Sequence, residues 1–93
     1  MEKLDKKHLM DKMMRELEDI LNSQTSLLKK ISQLEADNIN LGNTQLEKRL
    51  PDIHGKVDDG ISEIAIIIEE FTAARNKFVG DNKLDEALPE QGS

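Results

Sequence analysis

The chain has 93 residues, of which 34 % are charged, with a net charge of -6, no cysteine and two aromatic side chains, both Phe. That length suits one small domain. The composition excludes disulfides, thiolate metal sites and a thiol nucleophile, and it speaks against a phosphate-binding surface or a shaped, aromatic-lined pocket.

In chain order, the first predicted element is a helix over about residues 4–37. Its apolar positions, Met10, Met13, Leu17, Ile20, Leu27, Ile31 and Leu34, advance in alternating steps of three and four, with Gln24 occupying one place in the series. That spacing draws one seam along a helix. Asn22 to Ser26 are uncharged and poor helix formers, and a polar seam residue such as Gln24 fixes register at some cost in stability. A continuous helix is expected. Met10, Met13 and Met14 cluster at helical spacing, as a gap-filling core group or as an adaptable surface for a partner.

Residues 38–43 carry turn chemistry, because Asn38, Gly42 and Asn43 tolerate left-handed backbone. Thr44-Gln45-Leu46-Glu47 then matches a capping box. A second seam follows through Leu46, Leu50, Ile53, Val57, Gly60, Ile64, Ile67, Phe71, Ala74 and Phe78, predicting a helix over about 44–79. Pro51 removes one backbone donor inside it and predicts a kink; the unbroken phase through Leu50, Ile53 and Val57 argues against a loop. Gly80 is the expected stop, and 81–93 read as a flexible C-terminal tail.

The run Ile61 to Ile68 is denser in apolar residues than one seam requires. An arc that broad calls for more than one neighbouring helix, and a lone hairpin offers each helix only one. The fold class expected is therefore all-α, an antiparallel two-helix hairpin kinked near Pro51 that completes a helical bundle with a partner. The partner interface is assigned to Met10, Met13, Met14, Ile61, Ile64, Ile66, Ile67, Ile68 and Phe71.

No arrangement of residues carries catalytic chemistry. Asp52, His54 and Asp58 stand at near-helical spacing but are too few for a structural zinc site. The twelve residues from Asp52 to Glu63 resemble a calcium loop only at their ends, since Val57 replaces the required Gly and Lys56 a ligand. Gly55-Lys56 lacks the rest of a phosphate loop. Neither an enzyme nor any cofactor is expected. No run of apolar residues approaches the roughly 20 that span a bilayer, and the charged stretch from Glu2 to Asp19 has no signal-peptide core. No membrane insertion and no nucleic-acid partner are expected. A cytoplasmic location is, with any export by a route that cleaves no signal peptide.

A cysteine-free, acidic hairpin of this size with a C-terminal tail resembles the WXG superfamily handled by bacterial type VII secretion. It is similar above all to the signature-poor relatives that accompany LXG-domain toxins. The turn reads Asn40-Leu41-Gly42, with the family's Gly and without its Trp, and Phe78 precedes Asp81 by three residues where the family's export signal has an aromatic four before an acid. The resemblance implies that Gly42 is the turn glycine, that Phe78 and Asp81 form a degenerate targeting element, and that the chain escorts a larger effector. The function expected is thus a non-enzymatic targeting or chaperone-like partner for an effector's helical domain. A self-associating coiled-coil adaptor, as a homodimer or larger bundle, and a small acidic inhibitor or immunity protein are the alternatives.

Overall fold

The computed structural model describes residues 1–84, which form two helices, α1 (Lys3–Leu41) and α2 (Thr44–Asp81). They pack against each other as an antiparallel hairpin, with Asp11 bonded to Arg75 near one end and Glu35 to His54 near the other. The molecule is 62 Å long and 22 × 18 Å across. A helix of 39 residues is about 58 Å long at 1.5 Å per residue, so each helix runs the full length beside the other. An extended rod of both helices end to end has about twice that length.

The reversal is tighter than the predicted 38–43 turn. α1 continues through Asn38 to Leu41, and only Gly42 and Asn43 lie between the helices. Gly42 adopts left-handed backbone (φ 75°) and its N–H donates to the Asn38 carbonyl at 2.7 Å, the αL form of helix termination. The Asn38 side chain accepts from the Asn43 N–H at 2.9 Å and donates to the Asn43 carbonyl at 3.0 Å, clamping both sides of the turn. Being buried, it satisfies its amide inside the fold rather than in water. Asn43 then caps α2, its side-chain oxygen accepting from Leu46 N–H at 2.9 Å. The expected capping box at Thr44 therefore shifts by one residue. Asn43 is the cap, Thr44 the first helical residue, and Leu46 stands where the reciprocal Glu would be needed.

The far end of α2 also departs from expectation. Gly80 is helical, and the stop falls three residues later, at Lys83 in left-handed backbone (φ 56°). Leu84 N–H donates to Val79 O at 2.9 Å and Lys83 N–H to Gly80 O at 3.2 Å, the paired bonds of a Schellman motif. Val79 is fully buried and Leu84 is buried as well, as the apolar pair that accompanies this motif should be. Of the tail expected at 81–93, residues 81–84 close the helix; residues 85–93 lie outside the described residues.

Seven-residue labels make the packing plain, with Met10 and Leu50 set at position a of their helices. The side chains that lose exposure on α1 include Met10, Met14, Leu17, Leu21, Leu28 and Ile31, and on α2 Val57, Ile61, Ile64, Ile68, Phe71 and Phe78. These are positions a and e. The predicted seams ran along a and d, and half of each is therefore displaced: Met13, Ile20, Leu27 and Leu34 on α1, and Leu46, Ile53 and Ile67 on α2, are exposed. The physical reason is that each helix carries three apolar stripes and has only one neighbour. Polar partners at e decide which two stripes meet, since Glu35 faces His54 and Arg75 reaches across to Asp11. α1 runs unbroken through Asn22–Ser26, where Thr25 Oγ1 donates back to the Leu21 carbonyl. α2 is likewise continuous through Pro51.

Gly42 and Gly55 give opposite expectations. An Ala at Gly42 is strained by the positive φ and should lower stability by about 1–2 kcal/mol. At Gly55, helical with open space around an added Cβ, Ala should raise it by about 0.5–1 kcal/mol. Urea unfolding of the two variants checks both signs.

Candidate functional site: an apolar face on one side of the hairpin

At 100° per residue, position d lies about 80° from the midline between a and e. In an antiparallel pair the two helices turn in opposite senses when viewed from one end, so both d stripes rise on the same side of the hairpin. That side presents Met13, Ile20, Leu27 and Leu34 from α1 beside Leu46, Ile53 and Ile67 from α2. Ile20 retains 43 % of its exposure and Ile67 45 %, so the residues are half-sunk ridges rather than stray side chains. Gly60, Ala74 and, at the helix end, the exposed Asp81 fill the remaining d positions of α2. A Cβ built on Gly60 stands 3.6 Å from Gln24 Oε1, in ordinary contact. The opposite side of the hairpin carries Glu18, Ser32 and Asp58 among its equivalent positions but also exposed Leu4, Ile39, Pro51 and Ala65, so it is mixed. The hairpin therefore has one face with a continuous apolar stripe on both helices, the dry face, and one on which polar and apolar residues alternate.

The residues assigned from sequence to a partner interface divide between two places. Met10, Met14, Ile61, Ile64, Ile68 and Phe71 are half-buried on the seam between α1 and α2, whereas Met13, Ile66 and Ile67 are exposed. Met13 and Ile67 belong to the dry face. Ile66, 55 % exposed, points away from α1 and stands alone. Ile20, Leu27, Leu34, Leu46 and Ile53 lie in the predicted seams, were not among the residues assigned to an interface, and are exposed on the dry face. Their strict seven-residue repeat, set beside a second apolar stripe at Met14, Leu21 and Leu28, was the signal that could have marked them as exposed.

Phe78 and Asp81 do not form one element. Phe78 is half-buried at position a with the Lys6 ammonium 4.9 Å from its ring centroid, a cation–π contact. Asp81 is exposed and pairs with Lys77 at 2.9 Å. A receptor reading the Phe78 ring has to open the seam to reach it.

The polar groups that remain are structural in placement. His54 Nδ1 lies 2.9 Å from Glu35 Oε1, tying the helices together near the turn. His8 is exposed. Among the described residues no three His, Asp or Glu side chains gather as a metal site would require. No helix is long and apolar enough to cross a membrane. At the open end, Arg75 Nε donates to Asp11 at 2.8 Å and buried Lys7 pairs with the same carboxylate at 3.2 Å. The Arg75 hydrogen bond holds the Asp11 carboxyl below the usual aspartate range; partial burial pulls the other way, and Lys7 adds to the lowering.

Comparison of the chain with protein-family models, with curated proteins and with solved structures gives no match. The functional reading therefore rests on the dry face and on what surrounds it.

Because Asp11 titrates lower in the folded chain than in the unfolded one, the folded state binds fewer protons. Its contribution is complete above the ordinary aspartate value, about pH 4, and is lost as pH falls through the lowered folded value. Arg75→Met keeps the packed stem without the charge. It should cost on the order of 1–2 kcal/mol at pH 7, and the cost should shrink as pH falls below the ordinary aspartate value and through the lowered folded one. Urea titrations at pH 7 and along an acid series check this; an equal loss throughout would assign the effect to packing.

Proposed function

We propose that this chain is a non-enzymatic helical partner that completes a four-helix bundle with the helical domain of a larger protein. The observation that carries the reading is the paired d ridge, a continuous apolar strip of two helices on one side of a hairpin whose other side is mixed in character. Monomers rarely expose a contiguous apolar patch above a few hundred Å², and larger ones mark interaction surfaces. A bend in α2 at Pro51, where the ring replaces the donor owed to the Glu47 carbonyl, belongs to the same reading, as a means of fitting the turn end of the face to its partner.

The sharper form of the proposal is an escort for an effector of type VII secretion. It is supported by the left-handed glycine at the hairpin tip, Gly42, which stands where the resemblance puts the turn glycine. Phe78 in this reading serves the hairpin first, and any targeting role it shares with Asp81 is exercised in the complex rather than by a free tail.

Co-expression with the protein encoded beside it, tagged on that protein, should yield a soluble complex of fixed stoichiometry. Ile20→Lys and Ile67→Lys are half-exposed changes that should leave hairpin stability within about 0.5 kcal/mol yet abolish the complex. Leu17→Lys, on the inner seam, should unfold the hairpin instead. Retention of the complex by both d-position variants would count against this face.

A further inference from the structure

We propose that, when no larger protein occupies the dry face, a second copy of this chain covers it, turned end for end so that the turn of one hairpin lies over the termini of the other. This goes beyond the heteromeric reading and does not depend on it.

The first ground is that the d ladder reads alike from both ends. Its rungs pair α1 with α2 as Leu41 beside Leu46, Leu34 beside Ile53, Leu27 beside Gly60, Ile20 beside Ile67 and Met13 beside Ala74. The register follows from the cross-helix bonds of Asp11 to Arg75 and Glu35 to His54. A two-fold axis through the central rung sets Leu27 on Leu27 of the second copy, Ile53 on Ile67, and Gly60 on Gly60, where the absence of a Cβ lets the α2 helices approach closely. Every rung then meets apolar or small side chains.

The second ground is charge. Position g flanks the dry face on its outer edge, and on α2 these places are Arg49, Lys56, Glu63 and Glu70, all exposed. The sign reverses at Gly60. Turned end for end, Arg49 lies over Glu70 of the second copy and Lys56 over Glu63, each pair occurring twice by symmetry. Arg49, Glu63 and Glu70 form no ion pair with other described residues, and Lys56 has only an exposed contact with Asp52 at 3.5 Å. On α1 the same arrangement sets Lys30 over Ser23, which is neutral, and Glu16 over Asp37, which opposes. The other two-fold packing, turn over turn, keeps one favourable pair, Asp37 over Arg49, but sets Lys30 over Lys56 and Glu16 over Glu70. Complementary rims select orientation in this way.

The third ground is area. The exposed portions of the d residues amount to roughly 600–700 Å², near the ~800 Å² per partner that a stable interface covers.

The native chain has no cysteine, so a single introduced one reports its own neighbour. Leu27→Cys should oxidise to a covalent dimer, because the two-fold axis brings it onto itself within disulfide reach. Ile20→Cys, one rung away and facing Leu34, should not. In sedimentation at low salt the wild-type chain should have twice its 10.5 kDa mass and should dissociate as salt rises. The double variants R49E/K56E and E63K/E70K, each alone, should bind themselves about 100-fold more weakly. Mixed in equal amounts they should form a one-to-one dimer, because each supplies the charges the other has lost. Circular dichroism confirms that each variant remains helical.

A wild-type chain monomeric at millimolar concentration overturns the proposal. So do charge variants that dimerise as the wild type does, or helical variants whose mixture stays monomeric. If a charge variant fails to fold, the two cysteine variants decide the matter alone, and equal cross-linking at positions 20 and 27 rejects the register. A chain that dimerises when pure yet joins no co-expressed effector overturns the heteromeric reading only. One that is captured by an effector yet monomeric when pure overturns this one only.

Discussion

A helix in a two-helix hairpin has a single neighbour, and each helix here carries three apolar stripes. One neighbour covers an arc of about two stripes. The excess cannot be removed by sliding or rotating the helices, because any rotation that buries d exposes a or e in its place. The rest of the molecule follows from how that conflict is resolved. Interior packing goes to a and e, and the third stripe of both helices is delivered to one side, where antiparallel geometry joins two narrow ridges into one broad face.

What fixes the rotation is polar rather than apolar. Leu, Ile and Met can pack in either register at similar cost, but charged and amide groups cannot. Glu35 with His54, and Asp11 with Arg75 and Lys7, meet their partners only when a and e face inward. With either partner turned outward, the remaining half-buried group would lose its hydrogen-bond partner while still partly shielded from water, which is unfavourable. The turn acts in the same sense. Asn38 holds both the N–H and the carbonyl of Asn43, which sets the angle at which α2 leaves α1. No buried side-chain nitrogen or oxygen among the described residues is without a hydrogen-bond partner, so the register chosen by the ends leaves no polar debt along the middle.

Much of this was legible in the residue order. The alternation of three and four announced two helices, and Asn38, Gly42 and Asn43 announced the reversal; of the broad Ile61–Ile68 run, Ile61, Ile64 and Ile68 turn to the seam within the hairpin and Ile66 and Ile67 stay exposed. Three features were misread for identifiable reasons. Thr44 and Asn43 are both good caps, and the choice between them depends on which residue Asn38 grips, a tertiary matter. Gly80 is the residue expected at a helix stop, but Val79 and Leu84 can bury against each other only if the helix runs on to Lys83, and that burial outweighs the cost of a left-handed lysine. The seam was drawn through a and d because each helix was read alone. With a, d and e all apolar, periodicity gives three stripes of equal standing, and only the cross-chain polar pairs tell which one stays outside.

The same reasoning separates what the dry face demands from what it permits. Its apolar content makes covering it favourable, because exposed apolar surface is unfavourable in water by about 25 cal/mol per Å². Its rim permits few orientations. On the α2 edge Arg49 and Lys56 sit on the turn side of Gly60, Glu63 and Glu70 on the far side, so an occupant over that edge is favoured when it is acidic toward the turn of this hairpin and basic toward its termini, whereas the α1 edge, with Asp37 and Lys30 toward the turn and Glu16 toward the termini, is mixed. On the heteromeric reading, a larger protein able to displace a second copy has to present that charge order together with more packing at Gly60 than the close approach of two α2 helices supplies. Such an occupant would gain packing that self-association does not supply, which is the condition the heteromeric and self-associating proposals place on each other.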